Sequence, residues 1–217
     1  MKKTLSRRIV VVGAGGHAKV VIELLQVSGT WDIVGLVDPS PAGDAVLGVP
    51  VLGGDEVLPD VLAGGVSSAV IALGGNRLRE RLGRRAQALG FDLPAIVHPS
   101  ALVSPSSRLG AGVVVMARAV VGTEAFISDL AIVNTGAVLD HDNFVGIAGH
   151  VAPGCALAGN VSVGDRTLVG VGSAVRPQVR IGADVVVGAG SAVVADVPNG
   201  AMIGGVPARP LRKKESA

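Results

Sequence analysis

The stretch VVVMARAVVGTEAFISDLAIVNTGAVLDHD, Val113 to Asp142, decides the fold. Within it Val115, Val121, Ile127, Val133 and Leu139 fall six residues apart. Continued in both directions, the series runs from Leu109 to Val193 and every member is Leu, Ile or Val. Four residues after each sits something small or branched, from Val113 and Ala119 through Cys155, Thr167 and Ser173 to Val197, with Asn143 and Gly149 as departures. A strict six is neither the helix period of 3.6 nor the plain strand period of 2. It is an internal repeat, and a repeat has to be read before anything else.

One hexad makes physical sense as one flat face of a three-sided coil. The aliphatic residue points to the axis, the small residue turns in beside it, and Gly or Asp takes the corner. Three hexads close a coil of eighteen residues, so 109 to 198 holds ninety residues, or five coils. Stacked coils pair as parallel strands and bury a ladder that no single coil buries alone.

The composition agrees. Aromatics are only 2%, while Gly numbers 32 and hydrophobic residues make up 49%; a narrow solenoid interior takes short side chains better than rings. A net charge of +2, with no basic face and no stacking aromatics, argues against nucleic-acid binding. The single cysteine, Cys155, lies on an inward small position and reads as a core residue. One cysteine builds no disulfide framework, which suits a reducing compartment. Ser6-Arg7-Arg8 hints at a twin-arginine signal, but the apolar run Ile9–Val12 is cut at once by Gly13, Gly15, Gly16 and His17, so no h-region exists. No stretch approaches the length of a membrane span. The expectation is a cytoplasmic protein without membrane attachment, and no metal site.

Ahead of the repeat, Ile9–Val12 reads as a buried strand, followed by Gly13-Ala14-Gly15-Gly16-His17-Ala18 and a helix through Val20, Val21, Leu24 and Leu25 that stops near Ser28-Gly29. A second strand, Ile33–Val37, ends in Asp38-Pro39. This is a G-x-G-x-x-A turn after a strand with an acid some twenty residues on, a pattern that brings backbone amides to a phosphate at a helix N-terminus. A third strand is expected at Ala69–Leu73 and a charged helix from Arg77 to about Leu89. Only one βαβαβ half is present, enough for a mononucleotide. Val46–Gly53 reads as a turn and short edge strand; Ile96 and Leu102 enter the coil pattern one residue out of register. Beyond the coils, Gly204–Pro210 breaks the repeat and Arg212, Lys213 and Lys214 form a basic tail. The ends of a solenoid need covering, and the small domain and this tail are the two candidates.

The repeat breaks its small-residue rule at Asp140-His141-Asp142-Asn143, with His150 nine residues after His141. Polar side chains clustered in a scaffold that elsewhere avoids them point to function.

Here the chain resembles a known family. GAGGHAK at Gly13–Lys19, LGGNRLR at Leu73–Arg79, IVNTGAVLDHD at Ile132–Asp142 and GVPA at Gly205–Ala208 are similar to motifs of the PglD/NeuD-type hexapeptide-repeat sugar acetyltransferases. Within that family the likeness is to N-acetyltransferases of nucleotide-linked 4-amino-4,6-dideoxy sugars. The resemblance implies an α/β Rossmann-like βαβαβ domain binding the nucleotide sugar, residues 1–95, followed by a left-handed parallel β-helix acyltransferase domain with a C-terminal tail, residues 96–217. The handedness comes from the resemblance, since parallel crossovers are normally right-handed. It further implies acetyl-CoA as co-substrate and a homotrimer, with acceptor and CoA meeting between neighbouring subunits.

Carried over residue by residue, the resemblance makes His141 the general base that takes a proton as the sugar amine attacks the thioester. Asp142 would orient the ring, although Asp140 is equally adjacent. Gly159, one coil beyond His141, would turn its N–H to the thioester oxygen. His150 matches a residue beside the thioester end of CoA, and Val171 and Ala189 match positions along the pantetheine arm. Gly13, Gly15, His17 and Asp38 match the nucleotide-sugar pocket, Asn76 the loop that closes on it, and Asn134 a polar contact near the sugar. Many relatives carry Asp-Asp after the second strand; Pro39 here leaves UDP, GDP or another nucleotide open. Lys19 and Arg79 read as helix-surface charges rather than phosphate ligands. Two other enzymatic readings compete: a sugar O-acetyltransferase of the sialic acid type, and an NAD-dependent sugar dehydrogenase, which the missing second half-domain and the absence of Tyr disfavour. A β-helix scaffold without activity is the third.

Overall fold

The computed structural model describes residues 7–211, in two compact units that divide between Pro99 and Ser100. Ser6 of the twin-arginine hint and the basic tail lie outside the described residues.

The first unit is built on β1 (Arg7–Val12), α1 (Gly16–Ser28), β2 (Trp31–Val37), a hairpin of β3 (Ala45–Val46) and β4 (Val49–Gly53), the short helix α2 (Leu58–Ala63), β5 (Ser68–Ile71) and α3 (Asn76–Leu89). The sheet order is β3-β4-β2-β1-β5, parallel except for the hairpin. Ile9, Val10 and Val11 are wholly buried, the uninterrupted apolar run that a parallel strand covered on both faces requires. Helix α1 packs Ala18, Val21, Ile22 and Leu25 inward at helical spacing. It ends where Gly29 turns left-handed, at φ 64°.

From β1 the chain goes to β2 on one side and returns to β5 on the other. The ends of β1 and β5 therefore flank a topological switch point, the usual crevice for a ligand in an open α/β sheet. Gly13 lies there with φ 111°, and a Cβ on it would sit 2.9 Å from the Ala72 carbonyl and from the Leu73 side chain; only glycine fits. Helix α2 is absent from the elements expected from sequence. Its six residues are too few to display a period.

In the second unit a two-residue strand recurs every six residues from Leu102–Val103 to Ala192–Val193. Within the run each pairs in parallel with the strands eighteen residues before and after, as Val138 does with Val120 and Ala156, while the first and last strands of each face pair on one side only. The strands sort into three sheets, the faces of a parallel β-helix. The series expected from the period is the core: Val115, Ile127, Val133, Leu139, Val145 and Val151 are at most 1% exposed. Coiling begins earlier than read. Leu102 pairs with Val120 and Val103 with Val121, so Val103 continues the inward series in register, and Leu102 points outward, 69% exposed.

The third residue after each inward aliphatic one takes a left-handed backbone from Gly112 to Gly190, whether it is Gly or, as at Glu124, Asp142 and Asn160, a residue with a side chain. These are the corners. Cys155 is buried as expected, its thiol donating to the Gly170 carbonyl at 3.1 Å. Past the last full coil, Met202–Gly204 pairs with Val186–Val187, and Arg209–Pro210 folds back antiparallel on it, closing that end. Among the described residues no helix is long and apolar enough to cross a membrane.

Candidate active site

Three faces make three edges, and the chemistry divides between two of them. The edge that precedes the Phe144–Val145 strand carries Asp140, His141 and Asp142. Nδ1 of His141 lies 2.6 Å from Oδ2 of Asp142, while the Asp140 carboxylate accepts from the His141 backbone N–H at 2.8 Å. The two carboxylates that sequence could not tell apart thus have different tasks: Asp142 faces the ring and Asp140 holds the turn. With Nδ1–H donating to Asp142, the lone pair of Nε2 is left free to accept a proton. The ring is exposed, and the bond to Asp142 raises its pKa above 6.5, with the charge of Asp140 adding to the effect.

Gly159 stands on the same edge one coil on. A Cβ there would overlap Nε2 and Cε1 of His141, so the imidazole rests directly on the glycine. That contact is why this corner glycine, unlike Gly154 or Gly172, whose Cβ would meet nothing, cannot take a side chain without displacing the ring.

Asn134 and His150 meet on a different edge. The Asn134 amide lies 3.0 Å from Nε2 of His150, and its oxygen accepts from the Thr135 N–H at 2.8 Å. Exposed Val171 and Ala189 belong to the corner column of the same edge, aligned with Thr135 through the eighteen-residue stack. The residues expected around one site therefore form two groups within a chain: His141, Asp142 and Gly159 on one edge, Asn134, His150, Val171 and Ala189 on another.

In the first unit, Gly13 and Asp38 line a cavity of about 220 Å³ together with Val12, Pro39, Leu73 and Leu78. Asp38 accepts from the Ala14 N–H at 2.8 Å and the Ser40 N–H at 2.9 Å, so its carboxylate shapes the glycine turn. A Cβ on Gly15 would project into open space, which leaves the start of α1 uncovered. Gly15, His17 and Asn76 are not on the cavity wall. Asp55 and Arg81 are, and no motif announces either of them.

Arg79 corrects the sequence reading. It is no surface charge: at 1% exposure it donates to the carbonyls of Leu73 and Gly74 at 2.9 and 3.1 Å and to the Asn76 side chain at 2.9 Å. It clamps the loop that faces Gly13. Burial lowers its pKa to about 10. Burial, and after it the nearby Arg79 charge, lowers His17 to about 4, so His17 is neutral at pH 7.

The PglD N-terminal domain family matches residues 8–86. A UDP-N-acetylbacillosamine N-acetyltransferase of Bacillus subtilis is 37% identical over 118 residues, which are 51% of this chain and about half, 52%, of that protein. The structure of PerB from Caulobacter crescentus, in complex with CoA and GDP-perosamine, is 50% identical, with a TM-score of 0.91 over 96% of this chain and 99% of that one. Two variants of that GDP-perosamine N-acetyltransferase, with one histidine replaced by Asn or Ala, carry the same two molecules. The acetyltransferase domain of PglB from Neisseria gonorrhoeae is 42% identical, with a TM-score of 0.91 over 95% of this chain and all of that one, and has been seen with acetyl coenzyme A. The chain has a Rossmann-like domain followed by a left-handed β-helix, matching PerB and PglB, and it belongs to the PglD-type hexapeptide-repeat N-acetyltransferases, the family of the GDP-perosamine and UDP-N-acetylbacillosamine enzymes.

Proposed function

We propose that this protein transfers the acetyl group of acetyl-CoA to the 4-amino group of a nucleotide-linked 4-amino-4,6-dideoxy sugar, with a GDP-linked sugar such as GDP-perosamine as the preferred acceptor. The observation that carries the reading is the His141–Asp142 pair stacked on Gly159, an exposed imidazole with a free Nε2 in a family of acetyltransferases. The higher identity and near-complete coverage of the GDP-perosamine relative favour the guanine nucleotide.

In the reaction the neutral amine attacks the thioester carbonyl carbon. The new C–N bond leaves a positive nitrogen, which passes one proton to Nε2 of His141, and Asp142 stabilises the resulting imidazolium. The carbonyl oxygen, now negative, accepts from the Gly159 N–H. Collapse breaks the C–S bond, and the proton held by His141 leaves with the sulfur as CoA thiol. A base of this kind contributes about 10²–10⁴-fold in rate. The glycine turn of the first unit and its cavity, lined by Gly13 and Asp38, hold the nucleotide.

The working unit is a homotrimer. On the face that lies between the two edges described above, the outward residues are Leu102, Val120, Val138, Ala156, Ala174 and Ala192, aligned by strand pairing without one polar member. Three copies packed through this face bury that column. The same packing brings the His141 edge of one copy beside the Asn134–His150 edge of the next, reuniting the residues that one chain keeps apart.

The test is to incubate the protein with acetyl-CoA and a panel of UDP- and GDP-linked 4-amino sugars and follow CoA release. Rapid release with a GDP-4-amino sugar is expected, with no turnover of a 4-hydroxy analogue. Release only with hydroxyl acceptors would overturn N-acetylation; preference for UDP sugars would overturn the nucleotide.

A further inference from the structure

The inward small-residue column runs from Val113 to Val197, and in it Asn143 is the only carboxamide. The side chain is 1% exposed. Its Nδ2 donates to the carbonyls of Asp140 at 2.9 Å, Ala158 at 3.1 Å and His141 at 3.3 Å. Two of these belong to the turn that carries His141. The third belongs to the peptide whose nitrogen is that of Gly159. One amide thus bridges the base and the oxyanion donor across neighbouring coils.

The fold does not ask for it. The other corners of this edge carry Ala125, Val161 and Val179 at the same slot, and they reach the same left-handed turn at Glu124, Asn160 and Gln178. The inward polar residues elsewhere are hydroxyls that leave nothing unpaired: Thr167 and Ser173 reach the equivalent next-coil carbonyls of Gly182 and Gly188, and Ser191 bonds the Gly188 carbonyl. Asn143 by contrast leaves its Oδ1 buried without a hydrogen-bond partner among the described residues, an arrangement that costs stability. A residue kept at that cost beside a reacting centre suggests a task other than folding.

The task follows from the peptide it holds. The Ala158 carbonyl and the Gly159 N–H are two ends of one planar unit. A donor placed on the carbonyl fixes the plane in which the N–H points, and it polarises the unit so that the N–H becomes a stronger donor. The Gly159 N–H itself gives no backbone hydrogen bond within the described chain, so it is available to a ligand.

We propose that Asn143 is a positioning residue for acyl transfer, which aims and strengthens the Gly159 N–H and locks its distance from His141. This rests on the acetyltransfer reading above and extends it to a side chain that touches neither substrate. Oxyanion donors act only when held in place before charge develops, so the effect belongs in kcat rather than in KM.

The test compares Asn143→Val, which matches the slot at Val161 and Val179, with His141→Ala as control, using acetyl-CoA and a 4-amino sugar nucleotide. For Asn143→Val, kcat falls at least about tenfold, KM for both substrates stays within about threefold, and the melting temperature is unchanged or higher. A kcat within twofold of wild type, or a loss that merely tracks unfolded protein, overturns the proposal. If Asn143→Val does not fold, Asn143→Ala, which matches the slot at Ala125, is read by the same criteria. Full activity of His141→Ala would instead sink the acetyltransfer mechanism itself, so the two failures are told apart.

Discussion

The proton balance of His141 is set by its neighbour Asp142. Because the carboxylate favours the charged ring, the imidazole is a competent base only above a pKa that itself lies above 6.5. The rate should therefore fall on the acid side with a limb above that value. In Asp142→Asn the favourable charge is lost, so the limb moves to lower pH while the plateau drops by about tenfold or more; a kcat profile between pH 5 and 9 checks both. A limb that stays in place would mean that Asp142 does not face the working base. The pairing of His141 with Gly159 was legible in sequence because eighteen residues return the chain to the same corner. The division of labour between Asp140 and Asp142 was not legible. It depends on a left-handed turn at Asp142, φ 59°, which separates the directions of two adjacent carboxylates. Asn143 was legible only as a departure from the column, since spacing says nothing of which carbonyls a buried amide meets.

At the level of elements, the loop between β5 and α3 depends on Arg79. Arg79→Leu removes three hydrogen bonds and leaves the Leu73 and Gly74 carbonyls without that donor, at a cost of about 3 kcal/mol. Urea unfolding should read that loss, and a higher KM for the nucleotide sugar should accompany it, because the loop packs on Gly13. The variant has a further signature. His17 is neutral in the fold down to about pH 4 but titrates near 6.5 when unfolded. In that window the unfolded chain binds the extra proton, so stability falls as pH falls. Without the Arg79 charge the lower end of the window moves up and the slope shortens. A helical pattern places Arg79 among charged neighbours on α3, which is why it reads as surface; its burial arises from tertiary packing, and sequence carries no sign of it. The strands, by contrast, follow from the repeat almost residue by residue, because each coil meets only its neighbours. Helix α2 and the β3–β4 hairpin lie in the part of the chain where no repeat helps.

For the whole molecule, the proposed trimer rests on the apolar face from Leu102 to Ala192. Val138→Asp puts a charge in the middle of that column, 41% exposed in the single chain, and three such charges would meet near the symmetry axis. The wild-type protein should sediment as a trimer and Val138→Asp as a monomer, with activity down by more than about tenfold although His141 is untouched. A trimeric Val138→Asp protein would remove this face from the assembly. The separation of His141 from Asn134 onto different edges has one more consequence. In the proposed trimer each catalytic junction borrows half of its parts from one polypeptide and half from another, so a defect in either half is not private to the chain that bears it. Mixing chains that lack His141 with chains that lack Asn134, each inert alone, and letting subunits exchange should regenerate sound junctions at about one in four. Genetic complementation between two dead alleles is what such shared ownership looks like from outside.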